Sequence, residues 1–297
     1  MAIKRFAAIA DTTITNAFSA NSGLQTRATG SNMGLADSLE VYSVYGRASS
    51  SFGSGQSAEL SRILIKFPVT TTDDSANSIQ AKRTSGEIPA SGSVSFYLKM
   101  YNVAHANTLP VGAKMNVFAV SRSWEEGRGV DLDTYTDKTY DNVGSNWINA
   151  SSSYKWLRPG GDYHTGSAAG DLNSIIMYSQ TFPSGSEDLD VDITHLVERW
   201  IRASGATNED EGYTNYGVGV FLTASYESYF SSSTGGDLPE VPPDTIHSTD
   251  TPSISGGIHH NPDGATESYY TKKFSARGSE YFYKRPIIEA RWDDSQK

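Results

Sequence analysis

A chain of 297 residues with no cysteine is long enough to bury roughly three quarters of its unfolded surface, so it can hold a core without disulfides. Its formal net charge of −10 is local, because residues 203–271 contain no Lys or Arg but do contain Glu209, Asp210, Glu211, Glu227, Asp237, Glu240, Asp244, Asp250, Asp263 and Glu267. No basic stripe exists to meet phosphates, which excludes a nucleic-acid binder, and no run approaches the roughly 18 apolar residues of a membrane span.

The start, MAIKRFAAIADTTITN, has a short apolar run broken at Asp11 and Thr12. It lacks the features of a signal peptide and, with the absence of cysteine, leads to the expectation of synthesis and folding in a cytoplasm. Nine short runs rich in β-branched and aromatic residues follow, each bounded by Gly, Pro, Asn or Ser. They are FAAIADTTIT (6–15), SLEVYSVYG (38–46), SRILIKFPV (61–69), SVSFYLKMYNV (93–103), KMNVFAVSRSW (114–124), SIIMYSQTF (174–182), YGVGVFLTAS (216–225), KKFSARG (272–278) and RPIIEARWD (285–293).

One helix is expected, over residues 192–202, where Ile193, Leu196, Val197, Trp200 and Ile201 recur at steps of three and four and Asp192 or Thr194 can cap the start. This pattern predicts an all-β protein, an antiparallel β-sandwich of jelly-roll type with one short helix and long loop insertions. It is read as a single domain over residues 1–297, carrying a turn-rich aromatic segment at 125–169 and an acidic insertion at about 231–267.

Within SRILIKFPV the pleat sends Ile63, Ile65 and Phe67 to one face and Arg62, Leu64 and Lys66 to the other. Such a strand suits a sheet with one dry face and one face partly covered, where Arg62 lays its stem on apolar neighbours and reaches a carboxylate.

Catalytic patterns are missing. There is no Gly-x-Ser-x-Gly elbow, no phosphate-cradling glycine loop and no helical histidine pair at metal spacing. His259 and His260 are adjacent, and adjacent side chains of an extended segment point apart. Two carboxylate runs, VDLDTYTD (130–137) and SEDLDVD (186–192), read most simply as solvated turns. Asp131, Asp133 and Asp137 of the first are weak candidates for a structural calcium ion, without the central Gly or terminal Glu of a calcium loop.

Trp124, Trp200 and Trp292 close apolar elements and are assigned to the core. Trp147 and Trp156, with Tyr154 and Tyr163, lie in the turn-rich segment instead. There they form either a glycan-stacking platform or a lid over the sandwich edge.

A collinear series of short motifs runs through the chain: ADTTITNAF (10–18), NMGLADSLEVYSVYG (32–46), SRILIKFPV, VSFYLKMY (94–101), VFAVSRSWEEG (117–127), Asn146-Trp147, DLDVDITHLVERW (188–200), YGVGVFL (216–222) and FSARGSEYFYKRPIIEARW (274–292). The order resembles the DNRLRE module, the disaggregatase-related β-sandwich similar to carbohydrate-binding modules, over about residues 6–293. As a stand-alone, cysteine-free module it is also similar to structural proteins of tailed bacteriophages of the marine and cyanobacterial type.

The resemblance implies a non-enzymatic virion component, a head-decoration, neck or tail-accessory protein. Its expected partners are other virion proteins in a homo-oligomer or symmetric array, with neither nucleic acid nor membrane involved. Recognition of surface glycans is the alternative role. No cofactor is expected beyond a structural calcium ion.

Overall fold

The computed structural model describes residues 1–18, 28–45, 59–130, 144–165, 176–203, 213–229 and 261–294. Among these residues eleven strands form two antiparallel sheets. The smaller sheet has four strands in the order β1 (Ala2–Ala7), β11 (Ile287–Trp292), β5 (Val94–Met100), β8 (Leu189–Asp192). The larger has seven, with the path β10 (Tyr269–Ser275), β3 (Ser38–Val44), β4 (Glu59–Lys66), β9 (Val218–Leu222), β6 (Ala113–Ala119), β7 (Tyr178–Phe182). Its remaining strand, β2 (Ala10–Thr15), pairs with β4.

Alternation builds the main core. In β5, Val94, Phe96, Leu98 and Met100 are buried, while Ser95, Tyr97 and Lys99 between them are half-buried. They meet Phe6, Ile288 and Leu189 of their own sheet and Leu39, Ile63, Ile65, Met115, Val117, Val220 and Phe274 of the other. This interdigitation of two inner faces is the packing expected of a sandwich.

The larger sheet is covered on its other face too. Ile14, Leu60, Leu64 and Val120 point away from the main core and are buried under Trp147, Ala150 and Trp156. That second layer explains why β4 and β9 are buried almost without interruption rather than alternately, since a strand covered on both faces has no solvent side.

Three elements depart from the sequence expectation. The run FAAIADTTIT is two strands, because the chain changes sheets at Ala8 and Ile9: Ala8 N–H donates to Pro286 O (3.0 Å) beside β11, and Ile9 N–H donates to Lys66 O (2.8 Å) at the end of β4. The carboxylate run SEDLDVD is not all solvated turn, since Leu189–Asp192 forms edge strand β8 with Leu189 and Val191 buried. Besides the expected helix, observed as α2 (Thr194–Ala203), a second short one, α1, spans Ile79–Thr84.

The Asp192 carboxylate, at the end of β8 and one residue before the N-cap position, accepts the N–H of the first helical residue, Thr194, at 2.9 Å. Glu198 of α2 accepts both terminal nitrogens of Arg83 (3.0 and 2.6 Å), which ties the helices together. Of the tryptophans assigned to the core, Trp200 is fully buried, while Trp124 and Trp292 are half-buried at its margins. Among the described residues no helix is long and apolar enough to cross a membrane.

Candidate functional site: a pinned aromatic turn

The turn-rich segment supplies the second-layer core. Trp147 and Trp156 are 0 % and 1 % exposed, and the Trp156 indole N–H donates to Asn146 O at 2.8 Å. Tyr163 is half-buried with its hydroxyl donating to Gly160 O (2.9 Å), and burial pushes that hydroxyl above its ordinary pKa. Only Tyr154 of the expected platform stands in solvent.

The platform expectation is therefore corrected. A ring must present a free face to stack on a sugar, and the faces of Trp147 and Trp156 are spent covering Leu60, Leu64 and Ile14. The calcium candidates Asp131, Asp133 and Asp137, the histidines His259 and His260 and residues 231–260 of the acidic insertion lie outside the described residues. Among the described residues no group of three or more His, Asp or Glu side chains is placed to hold a metal ion.

Arg62 fills the centre of this second layer. Its Nε and Nη2 donate to the two carboxylate oxygens of Glu227 at 3.0 and 2.9 Å, and Nη1 donates to Gly160 O at 3.0 Å. The guanidinium carbon lies 4.9 Å from the ring centre of Phe221, 5.4 Å from Trp147 and 5.8 Å from Tyr163. Bidentate pairing and ring faces together satisfy a buried cation. Lys66, the other cation of the strand, reaches Asp73 at 3.0 Å.

Glu227 also marks the root of the acidic insertion. Ser228 and Ala265 form a bridge, Tyr229 N–H donates to Ala265 O (2.8 Å), and Ala265 N–H donates to Glu227 O (2.9 Å). Asn261 Nδ2 donates to Ala224 O (2.8 Å) and to Glu227 O (3.2 Å). Both ends of the insertion are thereby clamped beside Val44, whose carbonyl accepts the Ser228 hydroxyl at 2.9 Å.

At the opposite end of β3 and β10, four distant segments meet. Asp11 is the second residue of β2 and is 1 % exposed. Its Oδ2 accepts the Arg277 N–H at 2.5 Å, and its own N–H donates to Glu126 Oε1 at 2.8 Å. Glu126 in turn accepts Arg277 Nε (3.0 Å) and Nη2 (2.6 Å). Asn32 closes the junction: Nδ2 donates to Glu126 O and Ser145 O (both 2.8 Å), and Oδ1 accepts from Gly34 (3.2 Å) and Gly129 (2.8 Å).

The approach is tight enough to require glycine. Gly127 has φ +80°, and a Cβ there would sit 2.3 Å from Asn32 Oδ1. Burial drives the Asp11 carboxyl up to about 7, and neighbouring Glu126 adds to the rise, while the Arg277 N–H and the Arg277 and Arg285 charges oppose it.

From this junction projects the turn Arg277–Arg285. Arg285 Nε donates to Ser279 O (3.0 Å), Tyr281 N–H to Ser279 Oγ (3.3 Å) and Lys284 N–H to Tyr281 O (2.8 Å), so the loop is closed across its base. At its tip, on the 3-10 turn Phe282–Lys284 and the residue before it, Tyr281, Phe282 and Tyr283 are 62 %, 65 % and 83 % exposed. Lys284 lies over Tyr281 (5.7 Å) and Arg285 over Phe282 (5.3 Å).

Leu35, Val130 and Ile9 are exposed on the segments that this junction ties in. Leu35 N–H donates to Gly129 O (2.8 Å). Half of the twelve exposed large apolar side chains among the described residues thus belong to segments that meet at this junction.

Sequence reasoning did not single out this turn. The usable signal was three consecutive aromatics in SEYFYKRP, because a period-two strand with one wet face does not place three large rings in a row. A scan against family models and a search of curated proteins both find no match to this chain.

Proposed function

We propose that this chain is a non-enzymatic structural component of a tailed-phage virion, a head-decoration, neck or tail-accessory protein that works through protein–protein contacts. The observation that carries the reading is the aromatic turn. Three rings are held in water on a loop whose base is fixed by Asp11, Glu126 and Arg277, and a preorganised aromatic tip of this kind favours association because little freedom remains to be lost on binding.

The carboxylates at the junction do not read as a catalytic pair. Asp11 is enclosed and gives an oxygen to a backbone N–H, and both oxygens of Glu126 hold Arg277. A general acid or base must reach its substrate, and these are turned to structure. The motif order that resembles the DNRLRE module supports the scaffold part of the reading, and the resemblance to structural proteins of tailed bacteriophages is the ground for its setting. Glycan recognition retains only Tyr154 of its proposed platform.

The test is quantitative mass spectrometry of gradient-purified particles from the lysate that carries this gene. A fixed, multi-copy stoichiometry relative to the major capsid protein is expected. Recovery of the chain only in the soluble fraction, with none in intact particles, would refute a virion role.

A further inference from the structure

One lysine is sealed against the main core. In β10, Lys272 and Phe274 are both 0 % exposed, and Lys272 lies opposite Val41 of β3. Its Nζ is 5.0 Å from the ring centres of both Phe182 and Phe274. Arg62 is buried against a carboxylate, whereas the three hydrogen bonds of Lys272 all go to neutral oxygens: Asn102 Oδ1 (2.6 Å), Gly185 O (3.0 Å) and the main-chain O of Glu187 (2.5 Å). An ammonium enclosed without a counter-ion in contact is costly. Burial accordingly lowers the Lys272 pKa to about 8, although the charges of Glu187 and Asp188 oppose the fall. The uncharged amine is then well populated near neutral pH, and an uncharged amine is a nucleophile.

The group it touches is an electrophile of matching reach. Asn102 follows the end of β5, bridges to Phe274, and gives its N–H to Asp188 Oδ1 at 2.7 Å. Its backbone is therefore fixed while its side chain meets Nζ. The hydrogen bond to Oδ1 holds Cγ, one carbonyl bond of about 1.2 Å beyond, no more than about 3.8 Å from Nζ. That is close to the separation at which two groups react, about 3–3.5 Å. Rotation of the carboxamide, a broad torsion, turns its face to the amine. Asn102 is only half-buried, so a small leaving group has a way out to solvent.

We infer that Lys272 and Asn102 join through a self-formed amide bond between Nζ and Cγ, a covalent staple from β10 of the larger sheet to the end of β5 in the smaller. The neutral amine attacks Cγ, the Cγ–Nδ2 bond breaks, and the proton shed by Nζ leaves with the departing nitrogen as ammonia. Nothing is oxidised or reduced. The Glu187 carboxylate carries that proton: its Oε1 accepts the Ser184 N–H at 2.7 Å, while its Oε2 is buried without a hydrogen-bond partner. The product is neutral, which removes the enclosed charge. It ties together positions 170 apart in a chain that has no cysteine to do so. The bond is independent of any role in particles.

Intact-mass spectrometry of the purified full-length chain tests it, after incubation at about pH 8, where half of the amine is uncharged. A mass below that of the sequence by one ammonia is expected, with proteolysis releasing a branched peptide that joins Asn102 to Lys272. Asn102→Asp should reach the same final mass by losing water instead. Asn102→Ala and Lys272→Arg should each keep their full sequence mass, and Glu187→Gln should form the bond at least about tenfold more slowly.

The wild-type mass decides the matter even where a variant fails to fold. A folded wild-type chain of unaltered mass, with Lys272 open to acetylation once unfolded, would overturn the inference. So would an ammonia lost by cyclisation at another Asn with no branched peptide. A Glu187→Gln chain that forms the bond at the wild-type rate would overturn the assigned proton path.

Discussion

Replacing the Asp11 carboxylate by a carboxamide isolates the electrostatics of the junction. The folded carboxyl titrates at about 7 against an ordinary value of 3.8, chiefly because it is buried. A raised carboxyl pKa means that the folded protein binds the proton more tightly than the unfolded chain. Asp11 therefore leaves stability untouched below about pH 4 and withdraws it progressively up to about pH 7, beyond which the loss is constant. A rise of about three pH units at about 1.36 kcal/mol each amounts to about 4 kcal/mol over the whole window, of which more than half falls between pH 5 and pH 8.

The carboxamide of the Asp11→Asn variant cannot ionise, and its oxygen can still accept the Arg277 N–H, as the neutral carboxyl does at pH 5. The stronger bond that the ionised carboxylate makes at pH 8 is already contained in its pKa. The variant should therefore gain on the wild type by about 2–3 kcal/mol between pH 5 and pH 8, or about 3–5 °C in melting temperature for a chain of this size. Denaturant unfolding at both pH values, with D11N measured against the wild type in the same buffers, reads the difference directly. Groups such as Asp73, Glu198 and Glu289, whose pKa values are lowered, titrate alike in both proteins and cancel. A stability difference that does not change with pH would refute a buried, raised Asp11.

Three further perturbations follow from the packing. Arg62→Met leaves the Glu227 carboxylate buried without its cation and should cost about 3–5 kcal/mol in denaturant unfolding, whereas Arg62→Met/Glu227→Leu should recover much of that loss; a single variant costing under about 1 kcal/mol would show the pair to be solvated. Trp147→Ala should lower stability by about 3–5 kcal/mol as a core truncation, and a folded, fully stable variant would contradict its place under the sheet. Gly219→Ala places a Cβ 2.1 Å from Tyr163 Cε1 and should cost about 1–3 kcal/mol by overpacking; calorimetry showing no drop in melting temperature would refute that contact.

Where one face of a strand meets the core, the sequence announces it. β5 and β8 alternate in burial as their letters do, and the periodicity of α2 places Leu196, Val197 and Trp200 correctly in the core. The failures have physical causes. FAAIADTTIT is apolar on both sides of its sheet change, so nothing in the letters marks the crossing at Ala8 and Ile9. The six residues of α1 are too few to show a helical period. Trp147 and Trp156 are ambiguous in the sequence because a lid and a platform draw on the same residues; the apolar outer face of the larger sheet, formed by Ile14, Leu60, Leu64 and Val120, decides for the lid.

The junction shows what no local pattern can reveal. Asp11 and Arg277 are 266 positions apart, Glu126 and Arg277 are 151 apart, and Asn32 reaches Ser145 across 113. Asp11, Asn32, Glu126 and Arg277 each belong to a motif quoted from the sequence, yet order along the chain says nothing of convergence in space. Once they are seen together, their chemistry narrows. An Asp that accepts a backbone N–H, a Glu gripped by two nitrogens of a guanidinium and an Asn with its amide nitrogen and oxygen both engaged are committed to the fold rather than to a substrate. What they hold is the base of the aromatic turn, and the groups left open to a partner are the rings of Tyr281, Phe282 and Tyr283 that stand above it.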